Sequence, residues 1–185
     1  MNWEQELNKI EDNFGCHRNI DWQVVTKLIP ELVRQNCNNF KIYVRVIYIF
    51  HNILVEEMYD ESDGKIFSDS LKKYFKESYT KFLSELEYSF FIGKILYIAE
   101  WYFDINDDFK PTEEKLAFKM QKYAYENEPD NKLYKWAYLL SIGDLINSQI
   151  LSNQILEDSE KTVWLKNWGF PGKYITESLQ WSQSR

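Results

Sequence analysis

Apolar positions recur along the chain at spacings of three and four, the signature of helices with one buried face. Trp3, Leu7, Ile10 and Phe14 predict a short helix over 3–14, broken at Gly15–Asn19. Asp21 is placed to cap a second helix running to about Gln35, with Val24, Val25, Leu28, Leu32 and Val33 inward and Pro30 kinking or splitting it. Phe40–Tyr59 carries two apolar lines, Phe40-Tyr43-Ile47-Phe50-Leu54-Met58 and Ile42-Val46-Ile49-Ile53, leaving a narrow polar stripe of Lys41, Arg45, Asn52 and Glu56. A helix apolar on most sides belongs at the centre of a bundle. The β-branched run Ile42–Ile49 would also suit a strand, but a pattern sustained to Tyr59 without a turn signal favours helix.

Further helices are expected over about 69–86, 88–103, 112–127 and 132–152, with a final pair at 159–168 and 173–182 around Gly169-Phe170-Pro171-Gly172. Asp63-Gly64 reads as a turn, Asn106–Pro111 as a loop, and Thr112 as the cap of the helix that follows, with Glu113 and Glu114 in its first turn. Gly93 within Phe91-Ile92-Gly93-Lys94 costs about 1 kcal/mol in a helix relative to alanine, which predicts a close helix–helix approach there. With six Gly and four Pro, turn chemistry is too sparse for a many-stranded sandwich. No linker marks a boundary, so the expectation is one all-α domain over 1–185, of about seven to nine helices with αα-hairpins.

Charge placement narrows the function classes. The net charge is −7, and it is concentrated. Residues 56–63 hold Glu56, Glu57, Asp60, Glu61 and Asp63 without a base, and residues 100–131 hold nine acids against four bases. Such patches disfavour nucleic acid and anionic membrane and suit a basic protein partner. No stretch of membrane-spanning length is free of charge, and the residues from Met1 to Leu7 carry two glutamates and no basic lead into an apolar run; a cytoplasmic protein is expected.

Candidate chemistry is thin. Cys16, His17 and Cys37 number three in no zinc-site spacing, so no metal and no cofactor are expected. His51 sits on the central helix without a nucleophile context and reads as a core histidine. Glu100 and Asp104, four apart, are followed by Asp107, Asp108, Glu113 and Glu114, a set that could serve a metal-dependent hydrolase; nothing else in the chain converges on them. With Trp101 beside them, they read better as a partner-binding patch, and no catalytic residue is assigned.

Two resemblances sharpen this. Ala117 and Ala124 on one face, Pro129 five residues on, and Trp136 and Tyr138 in the next helix resemble part of a tetratricopeptide repeat, although Gln121 stands where that repeat has an aromatic. This implies an αα-hairpin, and a helical-repeat interaction module is the alternative function. Phe90-Phe91-Ile92-Gly93 through Glu100-Trp101-Tyr102-Phe103, followed by Pro129-Asp130-Asn131 and an aromatic helix, resembles the small helical immunity proteins of bacterial polymorphic toxin and contact-dependent growth inhibition systems. That resemblance implies a non-enzymatic inhibitor that binds one cognate toxin domain, often a basic nuclease, and covers its active site or docking surface. The partner-binding set rests on the charge placement alone: Glu56, Glu57, Asp60, Glu61, Asp63, Glu100, Trp101, Asp104, Asp107, Asp108, Glu113 and Glu114.

Overall fold

A computed structural model describes residues 2–14, 22–56, 59–105, 107 and 109–183. The described residues form ten α-helices and no strand. Their contacts group into two compact units, Met1–Phe82 and Leu83–Arg185.

The first unit comprises α1 (Trp3–Glu11), α2 (Trp22–Gln35), α3 (Phe40–Glu56) and α4 (Glu61–Phe82). Helix α3 is its centre, as the two apolar lines require: Ile42, Val46, Ile47, Ile49 and Ile53 are fully buried, and α4, α1 and α2 all pack on it. Phe50 stacks on Tyr74 at 5.9 Å and lies 6.2 Å from Phe67, both on α4. Each such side chain removed from water contributes roughly 1.5–3 kcal/mol. Pro30 lies inside a continuous α2. Asn2 caps α1, its side chain accepting from the amides of Glu4 and Gln5. The expected break at 15–19 and the cap at Asp21 fall outside the described residues.

Two expectations are corrected in this unit. Asp63-Gly64 is not a turn but part of the opening of α4, which begins eight residues before the expected start; the Tyr59 ring lies against Gly64, its Cε2 2.6 Å from where a Cβ would stand. Arg45, expected on a polar stripe, is buried and grips Glu11 of α1.

The second unit comprises α5 (Leu86–Ala99), α6 (Leu116–Asn127), α7 (Lys132–Ser141), α8 (Leu145–Glu157), α9 (Ser159–Lys166) and α10 (Phe170–Gln183), with short 3-10 turns at Glu100–Phe103 and Thr112–Glu114. Successive helices pack pairwise, α5 on α6, α6 on α7, α7 on α8, and α8 on α10. Gly93 sits where α5 meets α6: a Cβ there would be 2.6 Å from Gln121 Nε2 and 3.2 Å from the Ala117 carbonyl, so the close approach expected from the sequence is present. Gln121 is buried and donates to the Phe90 carbonyl, 3.2 Å, filling the place of the missing aromatic. Ala117 and Ala124 are buried, Tyr125 stacks on Tyr138 at 4.9 Å, and the αα-hairpin α6–α7 stands as expected. The expected helix 132–152 is two helices, because Gly143 turns the chain with φ +77° and Asp144 caps α8. Thr112 opens a 3-10 turn and does not cap α6. Pro171 and Gly172 lie in the first turn of α10, where proline's missing amide is no loss.

Candidate functional site

The two acidic segments fall in different units. In the first, Glu56 ends α3, and Asp60 and Glu61 are exposed at the start of α4. Glu61 and Asp63 occupy the first turn of α4, where they complement the helix dipole. That role accounts for two of the acids without any ligand. Glu57 falls outside the described residues.

The second segment is built differently. Between the end of α5 and the start of α6 the chain makes an excursion over 100–115, tied at its base by two buried carboxylates. Glu100 is 9% exposed and pairs with Lys115, Oε1 to Nζ 3.3 Å, which joins the two ends of the excursion. Asp107 is 1% exposed. Its Oδ2 accepts from the Leu116 backbone amide at 2.7 Å, capping α6 from nine residues upstream, and its Oδ1 accepts from Lys110 Nζ. Burial alone would push the Asp107 carboxyl up; the hydrogen bonds from Lys110 and the Leu116 amide outweigh this and hold it below the usual carboxylate range. Glu100 and Asp107 therefore act inside the fold.

What the excursion presents outward is a different set. Trp101 is 59% exposed and Phe109 98% exposed, and Asp104, Glu113 and Glu114 are exposed in the same segment. Asp104 takes the left-handed backbone, φ 56°, which ends the 3-10 turn and reverses the chain. Of the residues expected to bind a partner, the structure thus leaves Trp101, Asp104, Glu113 and Glu114 at the surface here; Asp108 lies outside the described residues. Phe109 was not anticipated. Its signal was a single apolar residue inside a polar loop, between Asp107-Asp108 and Lys110-Pro111, where no periodicity marks it.

Other candidate chemistry resolves plainly. His51 is 2% exposed and stacks against Tyr48, and burial lowers its pKa to about 4. Cys37 is an exposed free thiol, while Cys16 and His17 are outside the described residues. Among the described residues no three His, Cys, Asp or Glu side chains converge as metal ligands would. No helix among them is long and apolar enough to cross a membrane. Comparison with protein-family models, with curated proteins and with solved structures gives no match.

Proposed function

We propose that this chain is an immunity-type inhibitor: it binds a basic protein domain, of the toxin class implied by the resemblance, and blocks it sterically. The observation that carries this reading is the excursion 100–115. Glu100, Lys115 and Asp107 hold its frame, while Trp101 and Phe109 stand in water in the same segment as the exposed acids Asp104, Glu113 and Glu114. Exposed large aromatics on a pre-organised loop are what interface anchors require, since ordering cost is met before binding. Exposed acids speed encounter with a basic surface and reject acidic ones. The acids at 56–61 in the first unit offer a further negative field without aromatic anchors.

The test is co-expression with the C-terminal domain of the protein encoded immediately upstream. Rescue of growth and a co-purifying, salt-sensitive complex are expected, with Trp101→Ala/Phe109→Ala weakening the complex by about 100-fold or more, from two anchors at roughly 2 kcal/mol each. Absence of toxicity together with absence of a complex overturns the reading. A second reading, a helical-repeat module, is favoured by the serial packing of α5 through α8 and by a cavity of about 560 Å³ between the α6–α7 turn and the α8–α9 turn, floored by Leu133 and Ile155. A peptide bound there, with the excursion untouched by binding, would favour it.

A further inference from the structure

Helix α8 is folded with its polarity reversed. Its inward face is Ser148, Ser152 and Ile155, exposed by 1%, 0% and 0%, while Leu145, Ile146 and Ile150 stand out at 55%, 75% and 51%. The serines, four apart, are small enough for α7 and α10 both to close on this helix. Their hydroxyls donate back to the carbonyls of Leu145, 2.9 Å, and Ser148, 3.0 Å, so neither is buried without a partner. Ile146 and Ile150, four apart on α8, form the outward line, with Leu145 next to them; Ile142, 49% exposed, lies in the turn before the helix. A helix with isoleucine outside and serine inside is not explained by the stability of this unit, because apolar surface left in water contributes nothing to it.

The charges carried by α8 and its caps have one sign, while Lys132 and Lys161 line the cavity beside Ile155 and Asp158. From Trp136 to Glu160 the chain has no Lys, Arg or His, and its charged residues are Asp144, Glu157, Asp158 and Glu160. Asp144 caps the N-terminus of α8, Glu157 is its last residue, and Asp158 follows, so the strip has an anionic end on either side. The polar side chains among them, Asn147, Asn153 and Gln154, are exposed and uncharged. A second copy of this chain is a poor occupant: α8 against α8 brings Asp144 beside Asp144 in a parallel pair and beside Glu157 and Asp158 in an antiparallel pair.

We infer that the outer face of α8 is a docking surface for a basic amphipathic helix of a partner protein, one with an apolar stripe at helical spacing and Lys or Arg on its flanks. The partner helix lays its stripe along Leu145, Ile146 and Ile150 and its cations over Asp144 at one end and Glu157 at the other. This surface is argued independently of the excursion 100–115.

The probe is a synthetic peptide of about 18 residues, roughly five turns, with leucine at every i and i+4 and lysine elsewhere on its flanks. A second peptide carries glutamate for lysine. Binding to the full chain is followed by fluorescence anisotropy of the labelled peptide, with circular dichroism confirming the fold of each variant. The lysine peptide is expected to bind, the glutamate peptide to fail, and Ile146→Asn/Ile150→Asn to weaken binding by at least about tenfold while the variant stays folded. Trp101→Ala/Phe109→Ala is expected to bind the lysine peptide as the wild type does, which separates this surface from the excursion. Equal binding by the Ile146→Asn/Ile150→Asn variant, no binding by the wild type, or loss of binding in the Trp101/Phe109 variant overturns the inference. So does a dimer of the chain in light scattering that the Ile146→Asn/Ile150→Asn variant abolishes, which would make a second copy the occupant.

Discussion

The Arg45 guanidinium meets the Glu11 carboxylate at two points, Nε to Oε1 at 2.9 Å and Nη2 to Oε2 at 2.6 Å, with the two side chains only 3% and 5% exposed. Asn8 accepts a further bond from Nη2 at 2.7 Å, and Trp3 lies 5.9 Å from the guanidinium carbon. One arginine of α3 thereby fixes the whole of α1. Breaking a buried pair by removing one partner leaves a bare charge in the interior. Glu11→Gln is therefore expected to lower unfolding free energy by about 3–5 kcal/mol. Replacing both partners, Glu11→Leu with Arg45→Met, is expected to recover most of that loss. Chemical denaturation of the wild type and the two variants checks both statements; Glu11→Gln as stable as the wild type would show that the pair contributes nothing.

Lys94 lies in α5 with its ammonium 4.5 Å from the centre of the Trp136 ring and 5.9 Å from that of Tyr97, and among the described residues it makes no ion pair. Burial lowers its pKa from 10.5 to about 8. The unfolded chain thus binds this proton more tightly than the folded one, and stability rises as pH climbs from about 8 to 10.5. Lys94→Met keeps the volume and removes the charge. It is expected to be more stable than the wild type at pH 7 by about 1–3 kcal/mol, the cation–π contact offsetting part of the burial penalty. The advantage should shrink above pH 8 and vanish near 10.5. Denaturation of both proteins across that range gives the difference curve, from which other titrating groups cancel; a flat curve contradicts the assignment.

Gly172 and Gly93 separate two kinds of close approach. A Cβ at Gly172 would overlap the Leu165 carbonyl oxygen and sit 2.7 Å from its carbon, and backbone of α9 cannot yield. At Gly93 the nearest atom is the end of the Gln121 side chain, which can move. Gly172→Ala is expected to cost about 2–4 kcal/mol. Gly93→Ala should cost about 1 kcal/mol or less, because alanine's helix propensity offsets part of the strain. Thermal melts that ranked the two in the opposite order would refute this account of the α9–α10 corner.

Asp107→Asn retains the shape of the side chain and removes the charge that Lys110 and the Leu116 amide both meet. The expected loss is about 1–2 kcal/mol, together with faster proteolysis within 104–115 than elsewhere in the second unit. Unchanged protection of that segment would mean Asp107 does not hold the excursion.

Periodicity made the helices legible, and composition made the absence of strands legible, because burial at spacings of three and four leaves its mark wherever a helix face is simply apolar. Phe40–Glu56 is the clear case. Gly93 is a second, since a glycine inside an apolar helix costs stability unless a neighbouring helix needs the space. Misreadings fell where tertiary contact overrides local pattern. Gly64 is helical, within an α4 that opens at Glu61 and packs on α3, and Arg45 is internal because Glu11, 34 residues away, pairs with it. Asp107 caps α6 in place of Thr112 through a turn of chain that no local rule describes. The reversed face of α8 defeats a reading from periodicity, since Ser148 and Ser152 look like an outside and Ile146 and Ile150 like an inside. In the candidate site the acids were visible as charge, but which of them bond inward was not, because the exposed Asp104 and the buried Asp107 carry identical chemistry three residues apart.

The excursion 100–115 keeps its supports and its contacts on separate side chains. Glu100, Asp107 and Lys115 hold it from within, and Trp101, Phe109, Glu113 and Glu114 stand outside that hold. The outward four can be exchanged by mutation one at a time without loosening the frame, so the surface of this segment can be rewritten in small steps, each of them still folded.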